Sequence, residues 1–245
     1  MRSTTKTTLL VVLLVCVIAG TTNAGLVKVP KRYNVIDFIG GYSLPVGKYD
    51  GLAGFVDFEN QAGRPVDIDA DRLYDPSYHF GFNYGQIRNN HILFSVGFRF
   101  THIDHISLAA ATVEDLAPDM EPGDALTISG YQMFFEPKKP SVNMYDLDFN
   151  LNYLFSNVTE FPVAPYAGVG VTGGLTAATA KGYDSESRIE VLARVNFGLE
   201  FKFWQAASKR SFLTVASINS YDFVASGDRP RHLYLGGALK YYFRP

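Results

Sequence analysis

The chain contains almost no cysteine. The single cysteine among its 245 residues, Cys16, lies inside an N-terminal apolar run. No disulfide can therefore form within the rest of the chain, whose stability must come from packing or from a bilayer. Beyond residue 24 there is also no apolar run of the roughly 20 residues that a membrane-spanning helix needs. If this chain crosses a membrane, it does so as a closed β-barrel, because only helices and barrels satisfy their backbone polar groups in lipid.

The first 24 residues have the three parts of an export signal. Arg2 and Lys6 supply positive charge, residues 9–20 are apolar, and the small residues "TTNA" end at Ala24. The apolar run is too short for a membrane anchor, so the sequence predicts a cleavable signal peptide over residues 1–24. Its removal takes away two basic and no acidic side chains, which changes the formal net charge from −2 to −4. A negative net charge argues against nucleic acid as a partner.

Beyond the signal peptide, apolar and polar residues alternate with a period of two, which is the primary signal of a β-strand. In "HILFSVGFRF" a bulky apolar residue occupies every second position from Ile92 onward. The predicted strands are residues 35–44, 77–87, 91–100, 143–155, 163–174, 188–203, 211–222 and 232–243. The seventh is ambiguous in phase, because Leu213 and Val215 oppose Ala216 and Ile218. A β-bulge within that strand would switch its register.

The connections between these strands alternate in length. "IRNN", "SNVTEF" and "WQAASKR" are short turns, whereas residues 45–76, 103–142, 175–187 and 223–231 are longer. One end of the structure therefore has short connections, and the other end has long connections. Residues 25–245 are expected to form one β-barrel domain, with the long loops at 45–76 and 103–142 at the end that has the long connections. "GLAGFVDFE" and "LTISGYQMFFE" are candidate extra strands, which would either extend a hairpin beyond the barrel or raise the count from eight strands to ten.

The volume of the side chains decides which face of the strands is inside. An eight-stranded barrel has an interior just wide enough to be filled by side chains, and the Phe-rich and Tyr-rich face would not fit there. In water, that face would be an apolar surface far larger than soluble monomers tolerate. We therefore expect an all-β, eight-stranded antiparallel up-and-down transmembrane β-barrel. The predicted lipid-facing residues are Phe80, Phe82, Phe94, Phe98, Phe149, Leu151, Phe197, Leu199, Leu235 and Leu239.

The opposite face carries small residues and a few charges. A narrow interior solvates ions poorly, so its charged side chains need partners of opposite sign. Four acidic and four basic residues are predicted to form a paired interior network: Asp37, Arg99, Asp146, Asp148, Arg194, Glu200, Lys202 and Lys240. A water-filled pore through the same interior is the alternative.

The chain resembles the OmpA-like and OmpX-like family of small bacterial outer-membrane β-barrels over roughly residues 34–245. The resemblance rests on the signal peptide, the opening "FIGGYSLPVGKYD", the glycine-rich "APYAGVGV" and the final alternating strand ending "LKYYF". It implies short turns in the periplasm, long loops outside, and assembly by the outer-membrane assembly machinery, which reads a last strand that ends on an aromatic residue. Here Arg244 and Pro245 follow Phe243, a departure from that pattern.

Some barrels of this architecture modify lipid A, and such an activity would require a catalytic site near the outer end of the strands. A deacylase needs a Ser, a His and a carboxylate that orients the His. His232 lies near the outer end of the last strand, and Ser226 and Asp228 precede it. Their spacing matches no known motif, and a loop histidine or an inward polar residue explains His232 better.

The sequence "THIDHIS" is a candidate metal site, because His102, Asp104 and His105 stand close together at the start of the longest loop. The simpler interpretation is that these histidines are polar side chains at a membrane interface. His79 and His91 are likewise interpreted as ordinary barrel residues. The same loop carries an acidic set, Glu114, Asp115, Asp119, Glu121 and Asp124, which is typical of a solvated face or of weak divalent-cation binding. No catalytic residue, cofactor or metal is predicted.

The function expected from these features is an integral outer-membrane protein with a structural or surface-interaction role. Its partners would be outer-membrane lipid and lipopolysaccharide, with an extracellular ligand through the loops. Three alternatives remain: a small diffusion channel, an enzyme acting on outer-membrane lipid, and a soluble ligand-binding barrel with its apolar face inward.

Overall fold

The computed structural model describes residues 32–49, 51–52, 56–60, 62–66, 68–69, 74–104, 127–130, 141–158, 160–179, 186–225 and 231–244. The predicted signal peptide lies outside these residues. So do His105, Ser226, Asp228 and the acidic set of the longest loop.

Eight long strands of the described residues pair into one closed sheet. They are β1 (Tyr33–Val46), β6 (Ser77–Arg88), β7 (Ile92–Asp104), β9 (Ser141–Leu154), β10 (Val163–Thr179), β11 (Glu186–Gln205), β12 (Ser211–Ala225) and β13 (Arg231–Phe243). Around the barrel the order is β1-β13-β12-β11-β10-β9-β7-β6, and every neighbouring pair is antiparallel. Among the described residues, no helix is long and apolar enough to cross a membrane. The predicted eight-stranded antiparallel barrel is confirmed.

Five short strands lie outside the barrel. They are β2 (Lys48–Tyr49), β3 (Gly51–Leu52), β4 (Val56–Glu59), β5 (Ile68–Asp69) and β8 (Thr127–Gly130). Strands β2 and β5 form a two-stranded sheet, and β3, β4 and β8 form a three-stranded sheet that joins the two longest loops. The candidate extra strands therefore pair with each other, and they do not raise the barrel count to ten.

The barrel strands continue further toward the long loops than the sequence predicted. Strand β10 extends to Thr179 and β11 starts at Glu186, so their connection has only six residues instead of the predicted segment 175–187. The alternating pattern fades there, because small residues such as Ala177 and Ala178 carry little polarity signal. Backbone pairing decides the strand length, since Ala178 still pairs with Glu186.

Strand β12 keeps a single phase from Phe212 to Asp222. Phe212, Thr214, Ala216, Ser220 and Asp222 are all buried and lie on the inner face. The register shifts are at the two ends of its pairing with β11, where Phe203 and Phe223 are each skipped in the ladder. The bulge that the sequence suggested within residues 211–222 is not found there; the ambiguity in phase arose because Ile218, an apolar residue, faces inward.

The short connections between strands, the start of β1 and the end of β13 lie together at one end of the barrel, here called the short-turn end. Asn89 and Asn90 both adopt left-handed backbone conformations in the β6–β7 turn, with φ of 54° and 62°, which asparagine tolerates better than most residues. At this end the interior is apolar. This apolar layer consists of Tyr33, Val35, Ile87, Leu93, Leu154, Val158, Ala164, Tyr166, Phe212 and Tyr242.

Aromatic rings hold the apolar layer together. The rings of Phe212 and Tyr242 stack with centroids 4.4 Å apart, and Tyr33 meets Phe212 edge to face at 5.2 Å. These residues come from β12, β13 and β1, which are adjacent strands on either side of the seam where the first strand meets the last. The layer therefore packs across the seam and blocks the interior at the short-turn end.

A glycine at the seam provides a test of the closure. A Cβ atom on Gly41 would lie 2.2 Å from the Leu235 carbonyl oxygen, whereas a Cβ on Gly173 would meet nothing within 4 Å. We predict that Gly41→Ala lowers the free energy of unfolding by about 1–3 kcal/mol, because the β1–β13 pair must shift to make room. The control Gly173→Ala should leave it nearly unchanged. Urea titration of the folded, heat-modifiable band on gels measures both, and equal midpoints would contradict the prediction.

Candidate functional site

A chain of four charged side chains crosses the interior from β7 to β12. The Asp148 carboxylate accepts hydrogen bonds from two arginines: Arg99 Nη2 contacts Oδ2, and Arg194 Nη1 lies 2.9 Å from Oδ1. Arg194 also donates from Nε to Asp222 Oδ1 at 2.6 Å. Thr172 Oγ1 adds a further hydrogen bond to Asp148 Oδ1 at 2.6 Å. Buried charges persist only when paired in this way.

We call these four charged side chains the arginine network. The ring of Tyr234, on β13, packs against it from the opposite wall of the barrel. The guanidinium carbons of Arg99 and Arg194 lie 4.5 Å and 4.7 Å from its centroid, within the range of cation–π contacts. The rings of His79 and His232 also pack against it, at 5.1 Å and 5.6 Å. Side chains from β6, β7, β11 and β13 therefore meet in the middle of the barrel, and they fill its cross-section.

A second network lies on the walls formed by β1, β6, β11, β12 and β13. Lys240 Nζ donates to Glu200 Oε2 at 3.0 Å, and Thr214 Oγ1 donates to Glu200 Oε1 at 2.7 Å. Asn83 Nδ2 donates to Asp37 Oδ2 at 3.4 Å. Asp37 and Lys240 also face each other directly across the β1–β13 ladder.

A small cavity borders both networks. Its volume is about 40 Å³, and its lining includes Asp37, Arg99, Lys240 and several asparagines. Among the described residues, Arg99 Nε and Nη1 and Asp37 Oδ1 have no hydrogen-bond partner. A buried water needs about 10–15 Å³ and two to four polar partners, so the cavity suits a few water molecules bonded to these atoms. It is too small for a solute.

The structure brings most of the predicted interior residues together. Asp37, Arg99, Asp146, Asp148, Arg194, Glu200 and Lys240 are all buried. Lys202 is only half-buried, and its ammonium group lies 5.8 Å from the Phe212 ring at the short-turn end. That position is at the rim, where water and headgroups are accessible, so the sequence placed Lys202 on the correct face but too deep.

Sequence reasoning missed several interior residues. Asp222 binds Arg194, yet it lay in the segment whose phase was ambiguous. The run Phe212, Thr214, Ala216 was the signal that would have placed it inside. Nothing in the sequence indicates that Arg99 and Arg194 meet over the ring of Tyr234.

The outer surface of the barrel is apolar and aromatic. The ten residues predicted to face lipid all lie on it: Phe80, Phe82, Phe94, Phe149, Phe197, Leu199, Leu235 and Leu239 are exposed, and Phe98 and Leu151 are half-buried between neighbours. Across strands these residues form continuous rows, for example Phe80 against Phe100 with ring centroids 5.1 Å apart. We refer to this surface as the apolar belt.

Charges on the outward face occur only at the two ends of the belt. Arg88 marks the short-turn end, and Asp104 and Arg231 mark the other end, called the long-loop end. Between these limits, no described outward-facing side chain of the eight strands carries a charge. An apolar surface band of this kind without charged side chains is not expected on a protein that is surrounded by water.

The two histidine candidates have ordinary partners. His102 Nδ1 is 2.8 Å from Asn143 Oδ1, and its Nε2 lies 3.5 Å from Asp104 Oδ1. His232 is fully buried, and its Nδ1 is 2.8 Å from Ser43 Oγ on the inner face of β1. Among the described residues, no group of three His, Cys, Asp or Glu side chains is arranged to hold a metal ion.

A closed up-and-down sheet, a charged interior and an apolar belt define the class: the chain is an eight-stranded antiparallel transmembrane β-barrel. The resemblance to the OmpA-like and OmpX-like small outer-membrane barrels, expected from the sequence, is one of fold. No protein-family model matches the chain, and no curated protein matches it by sequence.

Three solved structures illustrate the similarity of fold. Neisserial surface protein A has 12% identity and a TM-score of 0.44, with 86% of this chain and 96% of that chain covered. The attachment invasion locus protein Ail of Yersinia pestis, with the heparin analogue sucrose octasulfate, has 12% identity and a TM-score of 0.40, covering 86% and 99%. OprG from Pseudomonas aeruginosa has 10% identity and a TM-score of 0.44, covering 84% and 95%. At such identities the similarity concerns the fold alone.

The shared carboxylate at the centre of the arginine network is expected to matter for stability. Asp148→Asn keeps the shape of the side chain but leaves Arg99 and Arg194 close together without their common counter-charge. We predict that the free energy of unfolding falls by about 3 kcal/mol. The control Asp104→Asn, at a partly exposed pair, should cost under about 1 kcal/mol. Urea titration in lipid vesicles, followed by the fluorescence of Trp204, gives both values; a smaller effect at Asp148 than at Asp104 would contradict this prediction.

Proposed function

We propose that this chain is an integral outer-membrane protein whose sealed barrel anchors and presents the long-loop end at the cell surface, in a structural or surface-interaction role without catalysis. The observation that carries the proposal is the apolar belt. Its rings and aliphatic side chains are exposed while charged side chains are buried and paired. That distribution is the reverse of a water-soluble barrel, and it is stable when the surrounding solvent is lipid.

The polar side chains within the belt support the same proposal. Ser217 and Asn219 face outward on β12, where an unpaired polar group in lipid would cost several kcal/mol. Ser217 Oγ accepts a hydrogen bond from the Leu199 backbone N–H at 3.0 Å, and Asn219 Nδ2 donates to the Phe197 carbonyl at 3.3 Å. Each of the two side chains therefore makes one hydrogen bond within the barrel itself.

The interior supports a closed barrel over a diffusion channel. The arginine network and Tyr234 fill the middle, and the apolar layer fills the short-turn end. The cavity between the two networks has a volume of about 40 Å³, far below that of a hydrated ion or solute path. Passage would require both the ion pairs and the stacked rings to separate.

The proposed partners follow from this placement. Outer-membrane lipid and lipopolysaccharide would surround the belt, the barrel-assembly machinery would insert the chain, and an extracellular ligand would meet the loops within 45–76 and 103–142. Strands β4 and β8 pair backbone to backbone and tie these two loops into one sheet. The surface offered to a ligand would therefore combine both loops.

Membrane insertion is tested by placing a charge in the belt. Phe149 lies near the middle of β9 on the outer face, so an arginine there would face the centre of the bilayer. We predict that Phe149→Arg costs about 2–4 kcal/mol and sharply lowers the inserted fraction. The control Phe149→Leu should insert normally. Heat-modifiable gel mobility after vesicle insertion is the readout, and a wild-type protein that stays in the aqueous fraction without detergent would instead favour the soluble barrel.

Conductance tests the sealed interior. We predict that the reconstituted wild type gives no discrete current steps in planar bilayers, and that neutralising Arg99 or Asp146 creates none. Discrete steps in the wild type that change with either substitution would establish the channel instead. Turnover of lipid A or phospholipid in detergent, lost in His232→Ala and Ser226→Ala, would establish the enzyme.

A further inference from the structure

The charges of this chain are separated along the barrel axis. The four long connecting segments, 45–76, 103–142, 175–187 and 223–231, carry 17 acidic and 8 basic side chains. The short-turn end has the opposite balance, with one acidic residue, Glu160, among its described residues. Its basic residues are Arg32, Arg88, Lys202, Lys209, Arg210 and Arg244. A chain with a negative net charge thus has a strongly positive rim.

These six basic residues lie on one side of the rim. They belong to the ends of β6, β1, β13, β12 and β11, or to the turn between the last two, and these five strands are consecutive around the barrel. The remaining strands, β7, β9 and β10, contribute Glu160 but no Lys or Arg to the described rim. We call the continuous positive surface the basic arc.

Local contacts fix the middle of the basic arc. Arg244 follows the last strand; its guanidinium carbon lies 4.5 Å from the Tyr33 ring centroid, and its Nη2 donates to the Tyr33 hydroxyl at 2.6 Å. That hydroxyl donates to the Lys209 carbonyl at 3.1 Å, and the Arg244 N–H donates to the Arg210 carbonyl at 2.9 Å. The first strand, the last strand and the β11–β12 turn are therefore joined, which holds several positive charges together.

The outer members of the basic arc remain available to a partner. Arg32, Arg88, Lys209 and Arg210 are exposed. Among the described residues, none of these four has a carboxylate at ion-pair distance. Like charges gathered on one rim repel each other, so their grouping is favourable only where an anionic partner or surface compensates them.

The basic arc directly borders the end of the apolar belt. The exposed rings of Tyr84, Trp204 and Tyr241 lie on the same strands, within a few residues of Arg88, Lys202 and Arg244. Aromatic rings of this kind mark the level of lipid headgroups in transmembrane barrels. Charges just beyond them lie at the depth of the headgroup phosphates. We propose that the basic arc binds the headgroups of anionic phospholipids in the leaflet around the short-turn end.

This inference rests on the proposed membrane insertion and adds a lipid preference to it. A soluble polyanion would also match the charge, but it gives no reason for the arc to follow the edge of the apolar belt. Basic groups at a membrane surface each contribute several-fold to the affinity for anionic lipid, and their effects combine. The six charges therefore predict a measurable preference for anionic lipids among the lipids in direct contact with the barrel.

Trp204 provides the probe, because it is the only tryptophan and lies on the arc. The full protein is reconstituted in phosphatidylcholine vesicles that contain either dibrominated phosphatidylglycerol or dibrominated phosphatidylcholine, and quenching of Trp204 gives the relative binding constant of the two lipids. We predict about threefold or greater preference for phosphatidylglycerol at low salt. The preference should approach one at about 0.5 M NaCl, where screening leaves a Debye length of only a few Å.

Matched variants locate the preference. Lys209→Gln with Arg210→Gln should lower the relative binding constant about twofold or more, whereas Arg64→Gln with Arg231→Gln removes the same charge elsewhere and should leave it unchanged. Equal quenching by the two lipids in the wild type, or an equal loss in both variants, would overturn the inference.

The outcomes also separate this inference from the proposed function. Heat-modifiable mobility is recorded for every variant, so a barrel that does not insert contradicts the proposed function. A barrel that inserts without lipid preference contradicts the basic arc alone. If Trp204 emission in detergent micelles then responds to added polyglutamate, the arc belongs to a soluble polyanion and not to lipid.

Discussion

Closure of the backbone ladder is the constraint on which the rest of this structure depends. Strand β1 pairs with β13 on one side and with β6 on the other, so no strand of the main sheet is left with a free edge. Closure also divides every strand into an inner and an outer face with a period of two. Because eight strands enclose only a narrow space, most of the bulky rings must lie outside, and an exterior of that kind is stable in lipid.

The interior follows from the same closure. Charged side chains that point inward lose their water, and they are stable only if other strands supply counter-charges. Asp148 is the clearest example, since it holds Arg99 and Arg194 from opposite sides of β9. The cost of burying these charges is offset by pairing, by the Tyr234 ring and by a few polar neighbours. The same packing brings side chains from several strands together across the lumen.

The sequence predicted the faces of the strands well and their ends less well. Alternation identified all eight barrel strands, because most of them carry small or polar residues on the inner side and aromatic or aliphatic residues on the outer side. It failed where side chains were small, as at the end of β10, and where an apolar residue faced inward, as Ile218 does. The sequence placed Lys202 on the inner face, but only the structure shows that this residue lies at the rim of the barrel beside Phe212. The sequence left His232 open as a catalytic candidate. The structure places its ring against Ser43 inside the barrel.

The amino-acid sequence by itself determined the strand count, the direction of the rings and the presence of charges inside, because these depend on local periodicity. Only the tertiary structure decided which charges meet. Arg99 and Asp148 come from neighbouring strands, whereas Arg194 and Asp148 are two strands apart, and the stagger of the closed sheet sets both contacts. The basic arc has the same origin. Its members are scattered from Arg32 to Arg244 along the chain, and they become neighbours because an up-and-down barrel returns every second connection to the same rim.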